Sequence, residues 1–320
     1  MALRTCWVVS DGGPGMENEA LGLAEALQVP SIEIKRVRAR APWAWLPPQL
    51  WFRPFAALSA ESDHLEPPWP DLAIGCGSES VPFMLAIARA SRRRTFTVQL
   101  QHPRVPFRNF DLVVPPDHDR ARGENVISTL GALNRVTPRL LTQAAAKFAG
   151  AVEHLPRPRV AVLVGGSNGA YRLEAAEAAR LADDLAALAG STGCGLMVTP
   201  SRRTGSGNER ILRERLKGLP AVMWDGTGDN PYYGYLGLAD AVLVTCDSIA
   251  MVSEACATGK PVHVIPLPGR ARKFDEFHDA LRRAGMTRPF AGRLESWTYQ
   301  PLNDTGLVAA EIRRRLDSIG

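Results

Sequence analysis

Three side chains in the second half of the chain are of types that together bind nucleotides: Asp247, Ser248 and Glu254. The apolar run Ala241–Thr245 predicts a buried parallel strand, and Ser248 is suited to begin a helix predicted over Ile249–Ala257. The unpaired N–H groups and positive dipole end of such a helix attract phosphates. Glu254 lies in its second turn, where a carboxylate can hold the hydroxyls of a ribose. The alternative is an ordinary helix covering a sheet, with Glu254 in solvent.

Two further loops are predicted to lie beside this helix. Residues 165–169 read GGSNG after a strand predicted over 160–164, and residues 199–204 read TPSRRT after a strand predicted over 195–198. Because parallel strands end at the same edge of a sheet, the three loops should converge on one anion-binding mouth. Arg202 or Arg203 can supply a cation as a bidentate phosphate clamp, although either arginine can equally be a solvated loop charge. This convergence favours the nucleotide role for Glu254.

The first half of the chain repeats the same order of strand, glycine turn and helix. A strand over 3–9 is followed by SDGGPG and a helix over 17–27, and a strand over 71–75 by GCGSE and a helix over Val81–Ala90. A glycine turn lets the backbone approach a ligand closely. The first turn, which contains Gly12, Gly13 and Gly15, matches neither a dinucleotide fingerprint nor a P-loop.

The length of 320 residues predicts two domains of about 150 residues each. We expect the first over 1–154 and the second over 155–305, joined at the proline-rich residues 155–159, LPRPR. The last helix, predicted within 306–320, would dock across the boundary. Strands alternating with helices in both halves predict an α/β fold of two doubly wound parallel sheets with a cleft between them.

The composition excludes several classes of protein. It is 45% hydrophobic and 22% charged, as in soluble globular proteins, and no apolar run is long enough to span a membrane. The net charge of +5 suits anionic ligands or an acidic membrane surface, and without an RNA-binding motif we expect no nucleic-acid partner. The five cysteines include no C-x-x-C pair, which predicts reduced thiols in a cytoplasmic protein.

One stretch departs from this ordinary composition. Residues 42–54 read PWAWLPPQLWFRP, and prolines this dense place the aromatic residues on a loop. If exposed, they form a patch for an acceptor or for peripheral contact with the inner membrane. Alternatively they fold back as a cluster under the first domain. The residues concerned are Trp43, Trp45, Trp51 and Phe52.

These motifs together resemble a known family. The GGSNGA turn and the DS…SE helix are similar to those of GT-B glycosyltransferases, among them the N-acetylglucosaminyltransferase that forms lipid II. Over most of its length the chain more closely resembles the elongated-mitochondria family of plant mitochondrial-fission factors and their bacterial relatives. The motifs carrying this resemblance are SDGGPG…EALGLA, QHPR, GGSNG, TPSRR and DSIAMVSE. The resemblance implies a GT-B fold of two Rossmann-like domains.

The resemblance also implies roles for individual residues. Glu254 would bind the ribose, and the residues at the start of the second domain and of the DS helix would contact the diphosphate or sugar of the donor: Gly166, Ser167, Asn168, Gly169, Asp247 and Ser248. Oriented N–H groups and an arginine can stabilise the leaving diphosphate without a metal, and neither a D-x-D motif nor a carboxylate cluster indicates one. We therefore expect no cofactor, a nucleotide sugar as donor, and a lipid-linked or other cell-envelope acceptor. By this resemblance the acceptor would lie at the edge of the first domain, beside Gly12, Gly13 and Gly15.

The general base is the point of departure from the lipid II enzyme, which has a histidine in its first glycine loop. This loop offers carboxylates instead, so Asp11 or Glu17 is a candidate base if burial raises its pKa. His102 is a second candidate, with a structural histidine beside Pro103 as the alternative. Two other functions stay open: a catalytically silent scaffold that binds a partner protein, and a nucleotide-sugar epimerase.

Overall fold

The computed structural model describes residues 3–46, 51 and 53–319, which form two α/β units. Unit 1 comprises Met1–Arg135 and Asn303–Gly320, and unit 2 comprises Val136–Leu302. In unit 1 the elements are β1 (Thr5–Ser10), α1 (Pro14–Ala26), β2 (Ser31–Arg36), β3 (Leu72–Cys76), α2 (Val81–Ala90), β4 (Phe96–Leu100) and β5 (Leu112–Val114). The five strands form a parallel sheet in the order β2-β1-β3-β4-β5.

Unit 2 is built on a second parallel sheet. Its elements are α3 (Pro138–Val152), β6 (Arg159–Val164), α4 (Ala175–Thr192), β7 (Gly195–Pro200), α5 (Ser206–Arg215), β8 (Ala221–Met223), α6 (Tyr232–Leu238), β9 (Ala241–Thr245), α7 (Ile249–Ala257), β10 (Val262–Ile265), α8 (Arg272–Arg283) and β11 (Thr287–Pro289). The order is β11-β10-β9-β6-β7-β8. The chain builds outward from β6 on one side and then returns to its other side at β9, which makes the β6 and β9 ends a topological switch point.

Alternation along the central strands of unit 1 supplies two hydrophobic layers. In β3, Leu72 and Ile74 pack with α1, whereas Ala73 packs on the other face with Phe83 of α2. This is the pattern of a parallel sheet covered on both faces, in which every strand position is apolar. The predicted doubly wound sheets are therefore confirmed in both units.

The final helix, α9 (Asp304–Ile319), belongs to unit 1. Val308, Ile312 and Leu316 lie in the same apolar cluster as α1, and the Asp304 carboxylate accepts a hydrogen bond from the Gly131 N–H at 2.7 Å. The sequence predicted instead a separate C-terminal helix after residue 305 that docks across the domain boundary. In the structure the apolar face of α9 is buried in the hydrophobic core of unit 1.

The units divide at Arg135, ahead of the proline-rich linker expected to separate the domains. The cause is α3, which packs against α6 of unit 2. A Cβ at Gly237 would lie 2.5 Å from the Leu141 carbonyl oxygen, and one at Gly234 would lie 2.5 Å from the Phe148 ring. Close helix contact through glycines thus commits α3 to unit 2, and short α6 shows no apolar periodicity by which sequence alone would reveal this contact.

Candidate functional site

The candidate site lies at the carboxyl ends of β6, β7 and β9 in unit 2. The three loops predicted to converge there do so, and they are joined by hydrogen bonds. The Gly165 N–H donates to Thr245 Oγ1 at 2.8 Å, and the Asn168 side-chain amide donates to the Asp247 carbonyl at 2.9 Å. Loop 165–169 is therefore fixed to the β9–α7 connection, at the position where doubly wound sheets bind ligands.

Close packing explains the two leading glycines of loop 165–169. A Cβ at Gly165 would lie 2.2 Å from Asp247 Oδ1, and one at Gly166 would lie 1.9 Å from the Arg203 carbonyl oxygen. Both distances are far inside van der Waals contact, and the second obstacle is backbone that cannot turn aside. Each glycine is needed because another loop passes against it.

Asp247 holds the three loops together. Its side chain is 0% exposed, and its carboxylate accepts hydrogen bonds from Thr245 Oγ1 at 2.6 Å and from the Gly166 N–H at 3.0 Å. Arg203 completes the set with its Nη2 2.8 Å from Asp247 Oδ2, while 39% of the arginine side chain stays exposed. This geometry makes Asp247 a positioning residue, and it leaves the outer part of Arg203 able to meet an anion. Arg202 is exposed beside it.

The side chains of Ser167 and Asn168 are bonded to the backbone of residues 170–173. Ser167 Oγ accepts a hydrogen bond from the Leu173 N–H at 2.9 Å, and Asn168 Oδ1 accepts from the N–H groups of Ala170 and Tyr171 at 2.7 and 2.9 Å. These contacts bend the loop. Within the part of the chain that the structure describes, no residue accepts a hydrogen bond from the N–H of Ser167 or Gly169. The loop therefore offers a ligand its backbone donors.

The N-terminus of α7 faces the same loops. Ser248 caps the helix by accepting a hydrogen bond from the Met251 N–H at 3.3 Å, as its position in the sequence predicts. The remaining N–H groups of the first turn have no intrahelical acceptor. Together with loop 165–169 they form a backbone surface suited to phosphate oxygens.

Glu254 lies one and a half turns further along α7 and is 6% exposed. Its two carboxylate oxygens accept hydrogen bonds from two tyrosines of α6: Tyr232 Oη to Oε2 at 2.6 Å, and Tyr233 Oη to Oε1 at 3.1 Å. Burial and the neighbouring carboxylate raise the pKa of Tyr232 well above its usual value, so this phenol remains a donor. These two tyrosines were not among the predicted site residues, because the sequence Asn-Pro-Tyr-Tyr is typical of a turn.

The glycine turn of unit 1 holds two of the candidate bases. The Asp11 Oδ1 atom accepts a hydrogen bond from the Gly13 N–H at 2.8 Å, and Gly12 has a φ of +84° that favours glycine. Glu17 is buried and forms a bidentate pair with Arg36, with Nε to Oε1 at 2.7 Å and Nη2 to Oε2 at 3.2 Å. Both oxygens of Glu17 are thus engaged by a guanidinium, which leaves Asp11 as the carboxylate of this turn able to meet a hydroxyl.

His102 is exposed, with its ring edge-on to Phe107 at 5.2 Å. Its Nδ1 accepts a hydrogen bond from the Arg104 N–H at 3.0 Å, so the neutral ring carries its proton on Nε2. In this tautomer Nε2 cannot accept a proton. The arrangement supports the structural alternative for His102 over its role as a base.

The aromatic loop does not form one exposed patch. Trp51 is 6% exposed, lies edge-on to Phe83 of α2 at 5.6 Å, and donates its indole N–H to the Leu46 carbonyl at 3.1 Å. Trp43 is half-buried, 6.0 Å from the Trp51 ring, whereas Trp45 is 80% exposed. The apolar core of unit 1 takes in Trp51, so a shared surface of all four aromatics is wrong. Phe52 lies outside the described residues.

The described residues contain neither a metal-binding cluster nor a helix that could cross a membrane. Across 3–46, 51 and 53–319 there is no group of three or more His, Cys, Asp or Glu side chains arranged to hold a metal ion. In the same ranges no helix has both the length and the apolar character that crossing a bilayer requires.

Sequence comparison finds relatives over most of the chain. Residues 14–316 match the sequence profile of the family described as Mitochondrial fission ELM1. The mitochondrial fission protein ELM1 of Arabidopsis thaliana is 34% identical over 278 residues, which cover 78% of this chain and 65% of the plant protein. An uncharacterised protein of Rickettsia prowazekii is 25% identical over 282 residues, covering 76% of this chain and 79% of that protein. The chain thus spans less than two thirds of the plant relative's length.

Comparison of folds finds sugar-nucleotide enzymes. The UDP-GlcNAc 2-epimerase of Methanocaldococcus jannaschii aligns over 99% of this chain and 100% of its own, with a TM-score of 0.58 and 11% identity. The UDP-GlcNAc 2-epimerase of Neisseria meningitidis, bound to UDP-GlcNAc, aligns with a TM-score of 0.57 and 12% identity. The alignment covers 99% of this chain and 100% of the epimerase. The kitacinnamycin glycosyltransferase aligns with a TM-score of 0.52 and 14% identity, over 99% of this chain and 96% of its own. At these identities the likeness shows the fold, which is the two-domain Rossmann-like GT-B fold.

Proposed function

The chain belongs to the mitochondrial fission ELM1 family, and we propose that it is a metal-independent glycosyltransferase that takes its sugar from a nucleoside diphosphate. One observation carries the proposal: Glu254 is a buried carboxylate held by Tyr232 and Tyr233 beside a helix N-terminus. A carboxylate fixed in this way is suited to accept hydrogen bonds from a ribose diol while the attached diphosphate meets backbone N–H groups. A structure of the Neisseria epimerase contains UDP-GlcNAc, so the fold accommodates such ligands.

In this proposal the diphosphate lies against loop 165–169 and the first turn of α7. Negative charge develops on the diphosphate as the glycosidic bond breaks, and the N–H groups of Ser167 and Gly169 stabilise that charge. Arg203 adds a cation whose position is set by Asp247. No step requires a metal ion.

The reaction also needs a group that removes a proton from the acceptor hydroxyl. Asp11 is the proposed base, because Glu17 is engaged by Arg36 and His102 carries its proton on the outer nitrogen. Asp11 lies directly after β1, at the carboxyl edge of the sheet of unit 1. Asp11→Asn should abolish transfer while nucleotide affinity stays unchanged.

Two other functions compete with this one. The plant relative is named a mitochondrial fission protein, which favours a scaffold that binds a partner, and two of the similar folds are epimerases. A single assay separates the three. Purified protein is incubated with UDP-GlcNAc and other UDP-sugars, with and without bacterial lipid extract, and products are resolved by chromatography.

A transferase releases UDP only when lipid extract is present. An epimerase converts the sugar nucleotide without any acceptor, and a scaffold changes nothing. The proposal fails if isomerised sugar nucleotide appears or if no UDP is released with any donor.

A lipid-linked acceptor would bring the protein to a membrane surface, and Trp45 is the proposed point of contact. It is 80% exposed and follows Arg38 and Arg40 in the sequence, both of which are exposed. Tryptophan favours the boundary between apolar and wet surroundings, and arginines are attracted to anionic lipids. Trp45→Ser should reduce co-sedimentation with anionic vesicles, whereas binding to neutral vesicles should be weak for both proteins.

A further inference from the structure

A second cavity of unit 2 lies between α8 and the strands β10 and β11. Its volume is 290 Å³, near the lower end, ~300 Å³, of small-molecule sites. One wall is apolar and includes Val264, Leu267 and Pro289. The other is a stripe of α8 with the spacing i, i+3, i+4, i+7: Asp275, His278, Asp279 and Arg282. We call this the α8 cavity. None of its lining residues is among those assigned to the nucleotide.

The polar stripe is not needed to attach α8 to the sheet. An apolar stripe on the same helix packs α8 against the sheet, since the side chains of Phe277 and Leu281 in it are only 2% and 0% exposed. A helix that covers a sheet usually turns its apolar face inward and its polar face to water. Here part of the polar face is turned into the cavity, and His278 is 9% exposed.

Two polar atoms in the lining are buried without hydrogen-bond partners. Within the described ranges, nothing is bonded to His278 Nδ1 or to Thr287 Oγ1, and Thr287 is 4% exposed. Such groups are uncommon because each loses its hydration on burial, and each calls for an explanation. Both belong to the same cavity.

The state of the His278 ring follows from its other nitrogen. Nε2 lies 2.9 Å from the Cys246 carbonyl oxygen, which only accepts, so Nε2 carries the proton. Burial lowers the pKa of His278, which keeps the ring neutral at pH 7. Nδ1 is therefore an acceptor that requires an O–H or N–H donor from the occupant.

The rim supplies donors and acceptors in alternation. Arg270 lies 2.7 Å from the Asp275 carboxylate, Arg282 pairs with Asp279, and the Arg288 guanidinium lies over the Trp297 ring at 4.4 Å. An occupant of this rim meets cations and carboxylates a few ångströms apart. This excludes a plain anion as the best fit, since Asp275 and Asp279 would repel it, and favours groups that donate and accept in turn.

We infer that the α8 cavity binds a monosaccharide ring, separately from the nucleotide mouth. Sugar hydroxyls both donate and accept, which matches His278 Nδ1, the Thr287 hydroxyl and the mixed rim. The C–H faces of a pyranose are suited to the apolar wall of the cavity. The volume allows one ring rather than a chain.

The test uses the full chain and NMR titration with four monosaccharides: glucose, galactose, mannose and N-acetylglucosamine. Thr287→Val replaces an unpartnered hydroxyl with a methyl group of the same shape, so this variant should melt no lower than wild type. His278→Gln keeps a donor for the Cys246 carbonyl but removes Nδ1. Thr287→Ser is the matched control, because it keeps the hydroxyl.

At least one sugar should saturate the wild-type protein, with Thr287→Val and His278→Gln each weakening binding about tenfold and Thr287→Ser leaving it within about threefold. The absence of saturable binding overturns the inference, as does equal binding by wild type and all variants. Glu254→Ala separates this site from the proposed nucleotide site. If that change removes the monosaccharide as well, the cavity is not an independent site.

Discussion

The glycine turn at residues 165–169 of unit 2 and the one at residues 10–15 of unit 1 each follow the first strand of a parallel sheet, but their glycines are constrained differently. In unit 2, Gly165 and Gly166 are in contact with atoms of two other loops at distances that no Cβ tolerates. In unit 1, Gly12 is required by its φ of +84°, and Gly15 has open space around it. The turn of unit 2 is fixed by two neighbouring loops, whereas the turn of unit 1 is held by hydrogen bonds to its own side chains, Ser10 and Asp11.

This difference indicates how the two turns are suited to ligands. A loop held by neighbouring loops has its N–H donors fixed before a ligand arrives, which is what stabilisation of a diphosphate requires. The turn of unit 1 shapes itself through a local hydrogen bond from the Gly13 N–H to Asp11.

The largest expected effect comes from adding one methyl group to each turn. Gly166→Ala places a Cβ 1.9 Å from the Arg203 carbonyl, so unit 2 should lose about 3 kcal/mol or more of stability. Gly15→Ala meets nothing within 4 Å and lies inside α1, so unit 1 should be unchanged or gain up to ~1 kcal/mol. Calorimetric melting of both variants measures this contrast. Equal melting temperatures would show that the turns are not constrained differently.

Neutralising the carboxylate beside each turn should likewise cost more stability in unit 2 than in unit 1. Asp247→Asn removes the charge from a fully buried group with three partners, which should cost about 1–3 kcal/mol. Glu17→Gln removes a pair whose arginine side chain is 61% exposed, which should cost ~1 kcal/mol or less. Urea unfolding followed by tryptophan fluorescence provides the comparison. A larger loss for Glu17→Gln would contradict the account.

A smaller effect is expected where α6 supports Glu254. Tyr232→Phe removes the 2.6 Å hydrogen bond to the carboxylate, so UDP affinity should fall about threefold to tenfold because Glu254 is held less firmly. Tyr235→Phe, on the same helix and buried in the core, is the matched control and should leave affinity unchanged. Calorimetric titration measures both. An unaltered Tyr232→Phe affinity would remove the tyrosine from the site.

The smallest effect concerns pH and again contrasts the units. Burial lowers the pKa of Lys260, which lies between α7 and β10, to about 8, so between pH 8 and 10.5 the unfolded state binds more protons and stability rises with pH. In unit 1, hydrogen bonds from Arg314 lower the pKa of Glu311 to about 2, so stability is lost as the pH falls from 4.5 to 2. Melting curves of wild type, Lys260→Met and Glu311→Gln test both directions. Lys260→Met should lose the rise in stability above pH 8, and Glu311→Gln should lose the fall in stability below pH 4.5.

Local signals explain what the sequence predicted well. The bounds of β9 and α7 agree with the structure to the residue, because an apolar run and a serine cap are both local signals. The convergence of the loops at the edge of unit 2 follows from parallel topology alone. The helix cap formed by Ser248 was predicted from a local signal as well.

Features that depend on contact between distant segments were not predicted. Helix α6 has seven residues, and its two glycines are explained only by the passage of α3 against them. The amphipathic pattern of α8 is interrupted by His278, an inward polar residue whose role depends on the cavity. The burial of Asp247 needs all three loops in place, so the sequence did not reveal that its carboxylate is bonded to Thr245, Gly166 and Arg203.

The central claim is that Glu254 holds the ribose of a nucleotide, and calorimetric titration of UDP tests it most directly. Wild type and Glu254→Ala are compared with Glu214→Ala, which removes an exposed carboxylate elsewhere in unit 2. The account predicts saturable binding by wild type and by the control, weakened at least tenfold, or about 1.4 kcal/mol, in Glu254→Ala. The absence of saturable binding by wild type, or equal affinity in all three proteins, would contradict it.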